Sequence, residues 1–234
     1  MDTMRETLQF NPEQYSLKEI LKPEHSALLV VDMQNDFCDP KGKFAKWGRD
    51  VSQMQSIVPA VQELIDTAHN AHVPVIFTQG SEDVRFRKGP DLRRAVKWEE
   101  KDGDGSVDSE RGTFGWEFYK VEPEEGKDIV IEKHKWSAFD GKDKKGRTLN
   151  QILEEHGVRS LVITGVVAET CVETTVRDAY GKDYFVVIPR NSIGSNDPEQ
   201  LKARMKYWEK GFVGDVVDEE EIKQYWPQKV LASE

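Results

Sequence analysis

Leu161-Val162-Ile163-Thr164-Gly165-Val166-Val167-Ala168-Glu169-Thr170-Cys171-Val172-Glu173-Thr174-Thr175-Val176-Arg177-Asp178-Ala179 decides more about this chain than any other stretch. An apolar run ends at a glycine turn, and a cysteine then stands where a helix should begin. The run reads as a buried strand and the residues from Cys171 onward as its helix. Thr170 is the expected N-cap, with Glu173 three positions on, the capping-box spacing. A thiol at a helix N-terminus feels the positive end of the macrodipole and nearby amides, so its pKa is expected to fall and its nucleophilicity to rise. On these residues alone, a small buried cysteine acting as a hydrophobe is an equally good reading.

The same alternation continues outward in both directions. Residues 26–32, Ser-Ala-Leu-Leu-Val-Val-Asp, are an apolar run closed by a carboxylate, the pattern of a buried parallel strand. Across residues 51–72, Met54, Ile57, Val58, Val61, Leu64, Ile65 and Ala68 recur at three-to-four spacing, which predicts one long amphipathic helix. Further strands are expected at 73–78, 128–132, 160–164, 184–188 and 212–217, and helices at 149–155, after Cys171 and at 199–210. Strands alternating with helices make a mostly parallel α/β sheet. Residues 1–25 read as a polar N-terminal arm and 26–234 as the single domain. Within it, residues 81–126 are a charged, Gly-rich insertion with little periodicity outside 92–98. An excursion of that length in a compact domain is usually functional, as a lid or an interface.

Composition narrows the partners. At 234 residues the chain suits one large domain. With 33 Lys and Arg against 43 Asp and Glu, its net charge of -10 argues against a nucleic-acid or anionic-membrane surface. The cluster Lys142, Lys144, Lys145 and Arg147 is interleaved with Asp140 and Asp143 and reads as a solvated loop. Two cysteines make no disulfide framework, the opening residues lack the pattern of a secretory leader, and no apolar stretch has membrane-spanning length. A cytoplasmic setting is therefore expected. His25, His69, His72, His134 and His156 are scattered without ligand spacing, so no metal is expected. A nucleotide-dependent oxidoreductase would need a Gly-x-Gly-x-x-Gly turn after the first strand, and Asp32-Met33-Gln34-Asn35-Asp36 contains no glycine.

In parallel sheets ligands bind beyond the carboxyl ends of the strands. Asp32, Lys133 and the 165–171 turn all fall at such ends. A thiol hydrolase needs a sulfur nucleophile, a group to take and return its proton, and donors for an oxyanion. Asp32 suits the proton acceptor, and Lys133 the cation that steadies both charges. An isolated Asp at a strand end is otherwise a turn or helix cap, and an isolated Lys a surface residue.

Three segments taken together resemble the isochorismatase-like cysteine hydrolases: Val31-Asp32-Met33-Gln34-Asn35-Asp36-Phe37, then Lys133-His134-Lys135-Trp136-Ser137-Ala138-Phe139, then the stretch from Thr164 to Ala179. The resemblance spans roughly residues 27–217 and implies a Rossmann-like three-layer sandwich with a mostly parallel central sheet. It implies a catalytic triad of Asp32, Lys133 and Cys171, Lys133 rather than Lys135 because it stands four residues before the Ser-Ala-Phe. It also implies a non-proline cis peptide between Val166 and Val167, with the Val167 and Cys171 amides forming the oxyanion hole.

Family members that cleave a vinyl ether do not need the thiol, so Cys171 points to the amidase branch. The nicotinamidase-like members carry an Asp-x-His metal segment after the second strand, whereas this chain reads Thr78-Gln79-Gly80-Ser81-Glu82-Asp83. What remains resembles the enzymes of ureides: biuret and triuret hydrolases, N-carbamoylsarcosine amidase and ureidoacrylate amidohydrolase. The segment Gly112-Thr113-Phe114-Gly115-Trp116-Glu117 also resembles the last of these. Ala168 and Glu169 stand where many relatives have Thr and Asn, and a Lys-rich loop lengthens the path from Lys133 to Cys171.

The implied substrate is a small ureide, cleaved without a cofactor through a thioester with loss of ammonia. The implied assembly is a homodimer or homotetramer, with residues 81–126 near the neighbouring site. The alternatives are an N-carbamoyl amino acid amidase, or a non-catalytic redox or binding protein on the same fold. A ureide is a flat string of amide donors and carbonyl acceptors. Gln34 can pair with it through both amide functions, Glu169 can accept from a terminal NH2, and Phe37 and Trp136 can form planar walls. Phe37 and Phe139 are as readily core residues, Glu169 can simply face solvent, and Cys38 reads as a small buried residue. Arg177 and Asp178 are expected to pair on the helix.

Overall fold

β1 (Ser26–Val31) is buried along its whole length, and the rest of the sheet is laid out around it. β2 (Val75–Gly80) and β4 (Ser160–Val166) pair with it in parallel on either side. β3 (Ile129–Lys133) lies beyond β2, and β5 (Phe185–Pro189) and β7 (Asp215–Val217) lie beyond β4. The two-residue β6 (Ile193–Gly194) pairs with the end of β4. The computed structural model describes residues 12–81, 84–86, 88–102 and 109–226.

Side chains on a strand alternate between its faces. Along β1, Leu28 and Val30 enter one hydrophobic cluster, while Ala27, Leu29 and Val31 enter the other. Both faces are covered, so the strand must be apolar throughout. On the first face α1 (Val58–Asn70) packs Val61, Leu64, Ile65 and Ala68. α6 (Glu219–Tyr225) adds Ile222 to that cluster, followed by Trp226. On the second face lie α3 (Leu149–Glu155), α4 (Glu173–Gly181) and α5 (Pro198–Trp208), with Val176 and Trp208 among the buried anchors. Each such side chain contributes about 1.5–3 kcal/mol by leaving water. The result is a three-layer α/β sandwich of mostly parallel strands.

Four details differ from the sequence reading. The helix expected over 51–72 is two helices, Ser52–Ser56 and α1, broken at Ile57. Pro59 lies in the first turn of α1, where its missing N–H cannot continue a helix arriving from residue 55. The strand expected from 212 begins only at Asp215, and Phe212 is exposed. β6 and α6 have no counterpart in that reading. α6 was nonetheless signalled by Asp218 at its N-cap and three glutamates in its first turn.

Of the N-terminal arm, residues 1–11 lie outside the described residues. The rest makes short helical turns that bury Ile20 and Leu21. Trp226 donates its indole N–H to the Leu21 carbonyl at 2.9 Å, which ties the arm to the end of the described chain. The insertion includes α2 (Gly89–Asp102). No helix among the described residues is long and apolar enough to cross a membrane.

The chain runs outward from β1 to β2 and β3, then returns to β4 on β1's other flank. Such a reversal opens a crevice at the strands' carboxyl ends. Val31 pairs in register with Gly165, and Gly80 with Lys133, so these ends are level across the sheet. Gly165 is required there. Its φ is +109°, and a Cβ would stand 2.1 Å from the Val31 carbonyl oxygen.

Candidate active site

The crevice holds a cavity of about 460 Å³, a size suited to a small organic ligand. Asp32, Lys133 and Cys171 line it together, from the ends of β1 and β3 and from the turn after β4. Lys133 Nζ lies 2.7 Å from Asp32 Oδ2, donates to the Lys135 carbonyl at 3.0 Å, and reaches Cys171 Sγ at 3.5 Å. The ammonium thus has two hydrogen-bond acceptors and one ion-pair partner. Thr78 on β2 donates its hydroxyl to Asp32 Oδ1 at 2.6 Å and accepts from the Asp32 amide at 3.1 Å. Asp32 itself sits at φ 49°, a left-handed conformation that turns the chain where the strand ends and that Asp tolerates better than most residues.

Lys133 and Asp32 are 2% and 1% exposed, so the pair is desolvated and depends on its own contacts. Burial alone would lower the Lys133 pKa. The Asp32 carboxylate and the Cys171 sulfur outweigh it and hold the ammonium above the ordinary lysine range. For Cys171 the balance goes the other way. Burial pushes the thiol up to about 12 against the pull of Lys133, and the nearby Asp32 charge adds to the rise. This corrects the expectation of a lowered pKa. Burial thus favours the protonated sulfur at rest.

The helix also begins later than the sequence suggests. Residues Ala168–Val172 form a turn of π-helix, and α4 starts only at Glu173. Thr170 is no N-cap: its hydroxyl faces the Val167 carbonyl at 3.5 Å, and no side chain caps the turn. Glu173 closes no capping box either, but pairs with Arg177 one turn on and approaches Arg204 at 3.7 Å. Arg177 therefore pairs with Glu173 rather than Asp178, because i,i+4 positions share a helix face and neighbours do not. The Val166–Val167 peptide is cis, and both residues line the cavity.

The residues expected to touch substrate divide. Phe37, Trp136 and Glu169 line the cavity. Phe37 packs edge-on against Phe44 at 5.1 Å, and Trp136, 43% exposed, lies under the Arg94 guanidinium at 5.2 Å. Glu169 accepts from the Ser195 hydroxyl at 2.8 Å. Gln34 is a correction. Its amide is buried, with Nε2 donating to the Gly80 and Trp116 carbonyls at 3.0 and 2.9 Å and Oε1 accepting from the Gly80 amide at 2.7 Å. Both functions are spent clamping the ends of β1 and β2 to the 114–116 turn, and Gln34 does not reach the cavity.

Other residues enter without having been singled out. Thr78 orients Asp32, and a threonine closing an otherwise apolar strand was the available signal. Asp91, ion-paired with Lys135, and Arg94 come from α2, while Ser81 and Ser109 come from the loops around it. Cys38 is buried outside the cavity's lining, its thiol pushed up by burial and by Asp32. Among the described residues, no three His, Cys, Asp or Glu side chains converge as a metal-ligand group.

A parallel sheet with a buried carboxylate, ammonium and thiol at its switch point defines the class: a three-layer α/β fold of the isochorismatase-like kind. The Isochorismatase domain model matches residues 26–221, and the chain belongs to the isochorismatase family of hydrolases. It is 31% identical over 211 residues to the ureidoacrylate amidohydrolase RutB of Acinetobacter baylyi, covering 85% of this chain and 82% of that protein. Among solved structures it is similar to a cysteine hydrolase of Pseudomonas syringae pv. phaseolicola 1448A (TM-score 0.71, 22% identity, 88% of this chain and 93% of that one). It is also similar to N-carbamoylsarcosine amidase of Thermoplasma acidophilum (TM-score 0.64, 24% identity, 84% and 97%). At these identities the two structures speak for the fold.

Proposed function

We propose that this hydrolase cleaves a carbon–nitrogen bond of a linear amide, and that the amide is a small ureide. The observation that carries the reading is the thiol of Cys171, which faces Asp32 and Lys133 on the cavity wall. The 31% identity to a ureidoacrylate amidohydrolase supports the choice of substrate class.

Asp32 takes the Cys171 proton as sulfur attacks the carbamoyl carbon. Because burial holds the thiol protonated at rest, the transfer is coupled to attack rather than preceding it. The amides of Val167 and Cys171 stabilise the oxyanion of the tetrahedral intermediate. Asp32 returns the proton to the departing nitrogen, ammonia leaves, and an S-carbamoyl thioester remains. Water, deprotonated by Asp32, hydrolyses that thioester and restores the thiol. Lys133 keeps one positive charge beside Asp32 and sulfur while the proton moves between them. Phe37 and Trp136 hold the flat ureide between them, and Glu169 accepts from its amino end.

Ammonia release from biuret, triuret, ureidoacrylate and N-carbamoylsarcosine tests the reading. Turnover of at least one, with a covalent Cys171 adduct visible by mass spectrometry after rapid quenching, is the expected result. Silence across the panel sinks it. In the same proposal residues 81–126 serve as lid and interface of a homodimer or homotetramer, which a sedimentation-velocity measurement checks.

A further inference from the structure

Two hydroxyl groups lining this cavity have no hydrogen-bond partner among the described residues. Ser81 follows directly on β2 and is 2% exposed; Ser109 lies in the insertion and is 1% exposed. Both line the cavity, and neither side-chain oxygen has a hydrogen-bond partner among the described residues. A buried hydroxyl without a partner costs free energy, and native proteins leave few of them.

Their backbones show how firmly they are held in place. The Ser81 amide donates to the Lys133 carbonyl at 2.8 Å, and its carbonyl accepts from His134 Nδ1 at 2.8 Å. His134 is in turn stacked on Phe86 with centroids 3.9 Å apart. The Ser109 amide donates to Asp36 Oδ2 at 2.7 Å, and the other oxygen of that buried carboxylate accepts from the Lys43 amide at 3.0 Å. Gly115 packs against the same carboxylate so closely that a Cβ would stand 2.1 Å from it. Asp36 thus fixes Ser109 on the same segment that carries Asp32. Other buried serines of the chain behave differently: Ser192 donates to Glu219 at 2.6 Å, and Ser26 to the Lys22 carbonyl at 2.8 Å. Only at the cavity are rigidly placed hydroxyls left unsatisfied, among these four.

We infer that Ser81 and Ser109 are substrate-binding residues that select for a ligand with polar atoms beyond the carbamoyl group under attack. The inference rests on the ureide reading. A hydroxyl both donates and accepts, so it can meet the NH or the C=O of a ureide chain by rotating its proton. A site built to hydrogen-bond a polar group rejects analogues lacking it, because its own buried groups then stay unpaired.

The test uses Ser81→Ala and Ser109→Ala in the full chain, with biuret, ureidoacrylate and N-carbamoylsarcosine each as substrate. For the substrate that the wild type turns over best, each variant should raise KM about three- to tenfold, the size of one neutral hydrogen bond, with kcat within about twofold. The melting temperature without substrate should stay level or rise, since each change removes an unsatisfied buried hydroxyl. An unchanged KM in both variants, or a fall in melting temperature or loss of folding, overturns the inference, the latter by showing that the hydroxyls serve the protein itself. A wild type inactive on every substrate refutes the ureide reading instead, and the two failures are told apart by that control.

Discussion

On the sheet side of the cavity, Asp32, Lys133, Cys171 and Thr78 close on one another. On the insertion side, Ser81 and Ser109 have hydroxyls with no partner among the described residues, and α2 brings an arginine stacked over a half-exposed tryptophan. In the proposed function the first wall closes on itself because its groups hold fixed charges next to a reacting carbon without water to help them. The second is left open because its contacts belong to the ligand. The proposed function thus assigns chemistry to the strand ends, which the whole core holds still, and selection to a segment that can change without disturbing that core.

Replacing the nucleophile breaks the comparison most sharply. Cys171→Ala should cost about 10⁴-fold or more in kcat. Its melting temperature at neutral pH should stay within a few degrees of the wild type, since a methyl group fills most of the space. Steady-state kinetics and differential scanning fluorimetry measure the two. Appreciable residual turnover would mean that the thiol does not attack. Lys133→Met should also abolish activity, but with a structural penalty of about 3–5 kcal/mol, because Asp32 is left as an uncompensated buried charge. Urea titration reads that loss. A Lys133→Met protein as stable as the wild type would show that the sheet-side wall is not a closed electrostatic unit.

The same division explains what was legible in the sequence. Asp32, Lys133 and Cys171 stood out because each closes or follows a run of apolar residues, and the sheet levels those ends. The strand pattern survived because residues buried on both faces leave a continuous apolar run, as in β1 and β4. Gln34 misled because residue type does not reveal orientation: its amide is complementary to a ureide and equally to the backbone edges it clamps. Cys171 misled on pKa because the depth of burial is not visible in the sequence. Ser81 and Ser109 gave no signal at all. A serine in a charged loop is ordinary, and only the folded structure shows that these two are buried without a partner.

Gln34 lies at the seam between the two walls, and its removal should be felt by both. Gln34→Leu removes three buried hydrogen bonds and takes these partners from the Gly80 carbonyl and amide, while the Trp116 carbonyl keeps its bond from Gln79 Nε2 at 2.9 Å. A loss of about 1–3 kcal/mol is expected, with kcat and KM disturbed together as the 114–116 turn loosens. A rise in KM alone, at full stability, would restore Gln34 as a substrate ligand.

The smallest effect sharpens the sheet-side picture through pH. Cys171 is raised in the folded protein to about 12, from an ordinary thiol value near 8.5, and Lys133 is raised above the lysine range as well. The folded state therefore holds these protons more tightly than the unfolded chain does. The stability they contribute is fully present below about pH 8.5 and is lost as pH climbs toward 12. Cys171→Ala removes the thiol's share. The melting temperature of the wild type minus that of Cys171→Ala should therefore decline steadily between pH 8 and pH 11, by a few degrees in all. A difference that stays flat across this range would place the thiol pKa near its ordinary value. Only a difference that grows with pH would place it below that value, with sulfur ionised before the substrate arrives and Asp32 left without a proton to take in the first step.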